Sequence, residues 1–95
     1  MKKIMVVDDS RIMRTIVKNT FSLLEIACDY VEAANGEEAL LLLESQKPDL
    51  ILLDWNMPKL SGLDFLKKVR VMEKYKTLPI IMVTSEAARY NIIEA

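Results

Sequence analysis

The chain has 95 residues, 52% of them hydrophobic and 28% charged, which suits one small globular domain and is too apolar for a disordered one. A formal net charge of -1, with no long basic run, gives no ground for non-specific binding to nucleic acid or to a membrane surface. There is no histidine, which excludes a histidine-based triad or zinc site, and the single cysteine, Cys28, excludes an internal disulfide.

Met1-Lys2-Lys3 leads into a short apolar run that ends at a double aspartate, which is not a signal peptide. No apolar run approaches the roughly 18 residues of a membrane span, so a cytoplasmic protein is the expectation. Ile4–Val7 reads as a buried first strand ending at Asp8-Asp9-Ser10. Asp9 or Ser10 can cap the helix that follows, from about Arg11 to Leu24. Ile12, Met13, Ile16, Val17 and Leu24 form its apolar stripe, with Arg11, Arg14, Lys18 and Asn19 outside it. Ala27–Ala33 reads as a second, more polar strand at a sheet edge, in which Cys28 is a buried small hydrophobe rather than a reactive thiol.

Asn35-Gly36 is a turn signal, and Glu37 and Glu38 favour the first turn of a second helix carrying Ala39 to Leu43 and fading by Gln46. Lys47-Pro48-Asp49 breaks it. Leu50-Ile51-Leu52-Leu53 is a run of large aliphatic residues suited to a strand buried on both faces of a parallel sheet, and the ionised Asp54 belongs at its carboxyl end. After the loop Lys59–Gly62, Ser61 with Asp64 resembles a capping box at the start of a third helix, whose apolar face is Leu63, Leu66, Val69 and Met72. Leu78-Pro79 opens a fourth strand, Ile80–Val83, ending at Thr84-Ser85-Glu86. Ala87 to Ala95 looks helical. Strand and helix thus alternate four times, which predicts one α/β domain: a doubly wound parallel sheet with helices on both faces and right-handed crossovers.

Three strand ends carry short oxygen-bearing side chains: Asp8-Asp9, Asp54 and Thr84-Ser85. If the first and third strands are neighbours, the three aspartates converge in the crevice where the strand order switches, the rim at which open α/β sheets bind ligands. Packed carboxylates repel, and a hard divalent cation relieves that; magnesium takes one or two carboxylates and keeps room for water and a phosphate oxygen. Carboxylates are known covalent acceptors of phosphoryl groups, so Asp54 is the candidate acceptor, and Thr84 can donate a hydrogen bond to a phosphoryl oxygen. Taken singly, each residue also has a bland role as a helix cap or strand exit. Taken jointly, three acids and a threonine at successive strand ends point to phosphoryl chemistry.

The motifs Val7-Asp8-Asp9-Ser10, Ala34-Asn35-Gly36-Glu37-Glu38-Ala39-Leu40, Asp54-Trp55-Asn56-Met57-Pro58 with Gly62, and Pro79–Thr84 resemble, in order and spacing, the receiver domain of two-component response regulators. The stand-alone, CheY-like chemotaxis regulators are the nearest in pattern. The resemblance implies a flavodoxin-like sheet with strand order 2-1-3-4 over residues 1–95. It implies that Asp54 is phosphorylated, that Asp8 and Asp9 bind Mg2+ with Asp9 the more direct ligand, and that the backbone carbonyl of Asn56 completes the metal set. Thr84 matches the switch hydroxyl, and Glu86 a variable position that tunes the lifetime of the phosphorylated state. The implied partners are a sensor histidine kinase, whose phosphohistidine is the donor, and a downstream target protein; the implied role is signalling rather than enzymatic turnover.

The family's five strands and five helices also imply a fifth strand with a phosphoryl-contacting lysine, a switch aromatic and a fifth helix, so the domain is expected to be incomplete after the fourth βα unit. On that reading the fourth strand is an open edge, and apolar surface around Ile80, Met82, Ile92 and Ile93 lacks cover. A homodimer or domain swap through the fourth strand and fourth helix is the corresponding expectation. Two other function classes compete. An aspartate-nucleophile phosphatase would typically place Asp-x-Asp at the first strand's end, whereas Asp8 and Asp9 are adjacent and Asn56 follows Asp54 by two. A non-switching interaction fragment or pseudo-receiver would have lost the acidic pocket.

Overall fold

The computed structural model describes residues 2–54, 60–83 and 92–94. Four strands, β1 (Lys2–Val7), β2 (Cys28–Ala33), β3 (Leu50–Asp54) and β4 (Ile80–Val83), pair in parallel in the order β2-β1-β3-β4. This is the flavodoxin-like order expected, with β2 at the edge. The connections carry α1 (Arg11–Leu23), α2 (Gly36–Gln46) and α3 (Gly62–Arg70), the last followed by a single 3-10 turn at Glu73–Tyr75. Each helix start is written in the sequence. Ser10 Oγ accepts from Met13 N, Asn35 Oδ1 from Glu38 N and Ser61 Oγ from Asp64 N, each an N-cap satisfying an amide the helix cannot.

Side chains alternate across the strands and so divide the sheet into two faces. Met5, Val7, Ala33, Ile51, Leu53, Ile80 and Met82 point to one face, where they form a buried cluster with Ala39 and Leu43 of α2 and Phe65 and Val69 of α3. Val6 and Leu52 point to the other, beneath Met13 and Val17 of α1. Ile80 and Met82 are therefore buried, contrary to the expectation that they lose their cover. The partly open surface is the opposite one, where Leu50, Leu52 and Ile81 are half-buried.

The apolar stripes of two helices are rotated from those expected. On α1, Met13, Val17 and Phe21 are half-buried, while Ile12 (73% exposed) and Ile16 face solvent, as does Leu24 just past the helix end. The physical reason lies on the helix's flank. Arg14 and Lys18 both bind Glu32 of β2, at 3.0 and 2.9 Å, and that pairing turns residues 13, 17 and 21 toward the sheet. On α3, Val69 is buried and Leu66 packs on the core as expected, but Leu63 is 41% exposed and Phe65, which the expected stripe omitted, is fully buried between Gly62 and Val69. Cys28 is half-buried rather than buried.

The last segment departs furthest. Ile92–Glu94 is not helical but a strand, β5, antiparallel to β4 with Met82 opposite Ile93. Consecutive β-branched residues favour the extended form, and the free backbone groups along β4 give it a partner. The β4 edge is thus paired within the chain, which removes the open edge on which the expected swap rested; the remainder of the expected fourth helix lies outside the described residues.

Gly36 is glycine for a reason other than a turn. It is the first residue of α2, and a Cβ there would lie 2.8 Å from both Cβ and the carbonyl oxygen of Leu60. Leu60 is the first described residue after Asp54, so this contact ties α2 to the chain leaving β3. Gly36→Ala will destabilise the fold by about 1–3 kcal/mol, the usual cost of overpacking against backbone, as read from urea denaturation; a cost near zero would show that Leu60 moves freely.

Candidate acidic site

β1 and β3 are neighbours, and Val7 pairs with Leu53. One step further along both strands brings Asp8 beside Asp54, the last residue of β3, while Asp54 itself pairs with Val83 of β4. Carboxylate oxygens of Asp8, Asp9 and Asp54 all lie within 4.8 Å of one another. The convergence expected at the switch point is therefore present. The three differ in burial: Asp54 is buried (5% exposed), Asp8 is half-buried and Asp9 is exposed. Apolar side chains of Val6, Val7, Met13, Val17, Leu52 and Leu53 lie beneath Asp8 and Asp54, so the pocket opens away from the sheet.

Asp8 is the best anchored of the three. Its N–H donates to Ala33 O at 3.0 Å, its Oδ1 accepts from Ser10 N at 2.8 Å, and its main-chain carbonyl accepts from Arg14 Nη1 at 2.6 Å. Its carboxyl is pushed above the ordinary range, first by burial and then by the charge and hydrogen bonding of Asp9; the Ser10 amide and, to a smaller degree, Arg14 oppose this. Ser10, not Asp9, caps α1, which leaves Asp9 exposed at the pocket's mouth. A donor set of three carboxylates, with no thiol or imidazole in the cluster among the described residues, fits a hard divalent cation such as magnesium. Trp55, Asn56, Thr84 and Glu86, the remaining sequence candidates, lie outside the described residues.

Sequence reading placed Arg14 off the apolar stripe and assigned it nothing. The structure shows it joining α1 to both the end of β1 and Glu32. The available signal was a guanidinium one helical turn beyond an aspartate pair.

A parallel sheet in this order, with acids at its switch point, defines a class, and comparison fixes which. Residues 4–95 match the response regulator receiver domain, and the chain belongs to that family. Among characterised relatives it is similar to a chemotaxis protein CheY homolog of Campylobacter jejuni, with 46% identity over 98% of this chain and 72% of the relative. The crystallised CheY4 of Vibrio cholerae superposes with a TM-score of 0.79 at 39% identity, covering 93% of this chain and 72% of that one. The Mn(2+)-bound form of response regulator Rcp1 superposes with a TM-score of 0.82 at 26% identity, covering 92% and 68%.

Proposed function

We propose that this receiver domain is a phosphorylatable signalling switch in which Asp54 accepts a phosphoryl group from a phosphohistidine of a sensor histidine kinase. The observation that carries the reading is the meeting of Asp8, Asp9 and Asp54 within 4.8 Å at the carboxyl ends of two adjacent strands, with Asp54 the buried one. In the transfer, an Asp54 oxygen forms the new O–P bond while the donor's P–N bond breaks, and its electron pair stays on the imidazole nitrogen. The product is an acyl phosphate.

Asp8, Asp9, Asp54 and the backbone carbonyl of Asn56 would hold Mg2+, as the oxygen donor set suits; the manganese in Rcp1 is a related hard cation. When bound, the ion supplies charge neutralisation between the carboxylates and the incoming phosphoryl oxygens. Asp9, exposed at the mouth, is placed to meet it first. Asp8, already held at three points, keeps its carboxylate from swinging away. Thr84, the next residue after the strand that pairs with Asp54, supplies a hydroxyl to a phosphoryl oxygen and reports the new charge to the rest of the domain.

Similarity to CheY proteins favours a role in chemotaxis, in the cytoplasm, with a target protein as the downstream partner. Among the described residues, no helix is long and apolar enough to cross a membrane. The domain, residues 1–95, acts on itself and has no independent substrate. Trp55, the only tryptophan, directly follows Asp54 and gives the test. Magnesium will produce one saturable fluorescence change, and a phosphoryl mimic added afterwards a second. Absence of any saturable magnesium response would sink the reading and favour a contact module; sustained hydrolysis of a phosphate ester would favour a phosphatase.

A further inference from the structure

Arg14 makes two contacts in different directions. Its Nη1 donates to the main-chain carbonyl of Asp8 at 2.6 Å, and its Nε donates to Glu32 Oε1 at 3.0 Å. The side chain is mostly buried (14% exposed), less exposed than that of Lys18 (33%), which meets the other oxygen of Glu32. A guanidinium is a rigid planar fork, so anchoring Nε on Glu32 sets where Nη1 points. Glu32 in turn precedes Ala33, whose carbonyl receives the Asp8 N–H. The edge strand thus grips the first aspartate twice, once directly and once through Arg14. The carbonyl that Arg14 holds belongs to the peptide joining Asp8 to Asp9, so its direction also governs how Asp9 leaves the strand.

We propose that Arg14, oriented by Glu32, is a positioning residue for the acidic pocket: it locks the Asp8–Asp9 peptide so that both carboxylates face Asp54 ready for a divalent cation. The proposal rests on the metal-site reading above. Two effects of Arg14 oppose each other. As a charge, it repels an incoming cation, so its removal would tighten metal binding. As a clamp, it preorganises the ligands, so its removal would weaken binding; partners of metal ligands are typically worth tenfold or more in affinity. A hydrogen bond of 2.6 Å from a mostly buried donor is local and directional, whereas its charge acts on a pocket open to solvent, where Coulomb forces are screened. Positioning therefore prevails.

The test is a magnesium titration, by calorimetry and by Trp55 fluorescence, of the 95-residue chain and four variants. Arg14→Gln will bind magnesium roughly tenfold more weakly. Arg14→Lys keeps the charge, but one ammonium cannot replace the fork, and it will also bind more weakly. Glu32→Gln will shift affinity in the same direction by less. Lys18→Gln removes a charge from the same glutamate without touching Asp8, and will stay within about twofold of the parent. In the metal-free proteins, the amide nitrogen shift of Asp9 will move in both Arg14 variants and hold in Lys18→Gln, a local readout that general loss of stability does not mimic. Affinity unchanged or tightened in Arg14→Gln, or restored in Arg14→Lys, overturns the proposal while leaving the metal site standing. A parent chain that does not bind magnesium overturns both.

Discussion

Asp54→Asn protein will acquire no phosphoryl group from a phosphorylated kinase domain or from a small acyl phosphate, while the parent chain gains one, as read by intact-protein mass. An amide is neutral and a poor nucleophile, and among the described residues neither other acid is placed to substitute: Asp8 is tied by Ser10 and Asp9 stands at the exposed mouth. The loss is expected to be complete rather than graded. Magnesium will still change Trp55 fluorescence in this variant, because Asp8 and Asp9 remain; the second change, from a phosphoryl mimic, will vanish. Retention of the second change would remove Asp54 from the acceptor role.

The same substitution will stabilise the metal-free domain. Carboxylates within 4.8 Å repel by about 3 kcal/mol at an effective dielectric near 20, and solvent at the open side reduces the recoverable part to about 1 kcal/mol. The pH dependence has a definite sign. Burial, then Asp9, hold the Asp8 carboxyl above its ordinary range. Below about pH 4 the carboxyl is protonated in both states and contributes nothing. As pH rises through that ordinary value the unfolded chain ionises first, so the folded state loses stability until Asp8 ionises there too. The penalty is fully present at neutral pH. The stability cost of ionising Asp8 is therefore largest near neutrality without metal, and shrinks on acidification or on adding magnesium.

The strands, their parallel pairing and the acidic rim were legible because each rests on a short-range signal. Three aliphatic runs of strand length, each closed by an oxygen-bearing residue, fix where the chain turns back, and parallel pairing with the more polar second strand then forces all four carboxyl ends to one rim. The caps at Ser10, Asn35 and Ser61 are equally local. Helix rotation was not legible. Ile12 and Ile16 are spaced as well for burial as Met13 and Val17, and the choice is made by Glu32, eighteen residues beyond Arg14 and on another strand. Ile92–Glu94 was misread for a related reason: the extended leaning of two adjacent β-branched residues becomes a strand only because a free strand edge from elsewhere in the chain lies beside them. Gly36 looked like a turn residue, since no local pattern reveals that Leu60 will lie against it. The clustered acids were found from strand ends alone, but the arginine that grips one of them needed the fold.

The rotation of α3 has the largest consequence for stability, and Phe65→Ala will cost about 3–5 kcal/mol. Phe65 is fully buried and belongs to the cluster that includes Met5, Val7, Ile51, Leu53, Ile80 and Met82. Truncation removes its transfer free energy and leaves a cavity lined by strands that cannot collapse without disturbing their ladders. Total stabilities of small domains run about 5–15 kcal/mol, and the half-covered face at Leu50, Leu52 and Ile81 puts this one toward the lower end. Phe65→Ala will therefore be largely unfolded at physiological temperature by circular dichroism. The paired control is Leu63→Ala, two residues away on the same helix. Had α3 turned Leu63 inward, as the expected stripe required, it would be the costly position; being 41% exposed, it will cost about 0.5 kcal/mol. The ratio of the two costs by urea denaturation measures the helix rotation directly. Comparable costs, or a larger one at Leu63, would mean that α3 packs on the face carrying Leu63, and that the buried cluster beneath Asp54 is built differently.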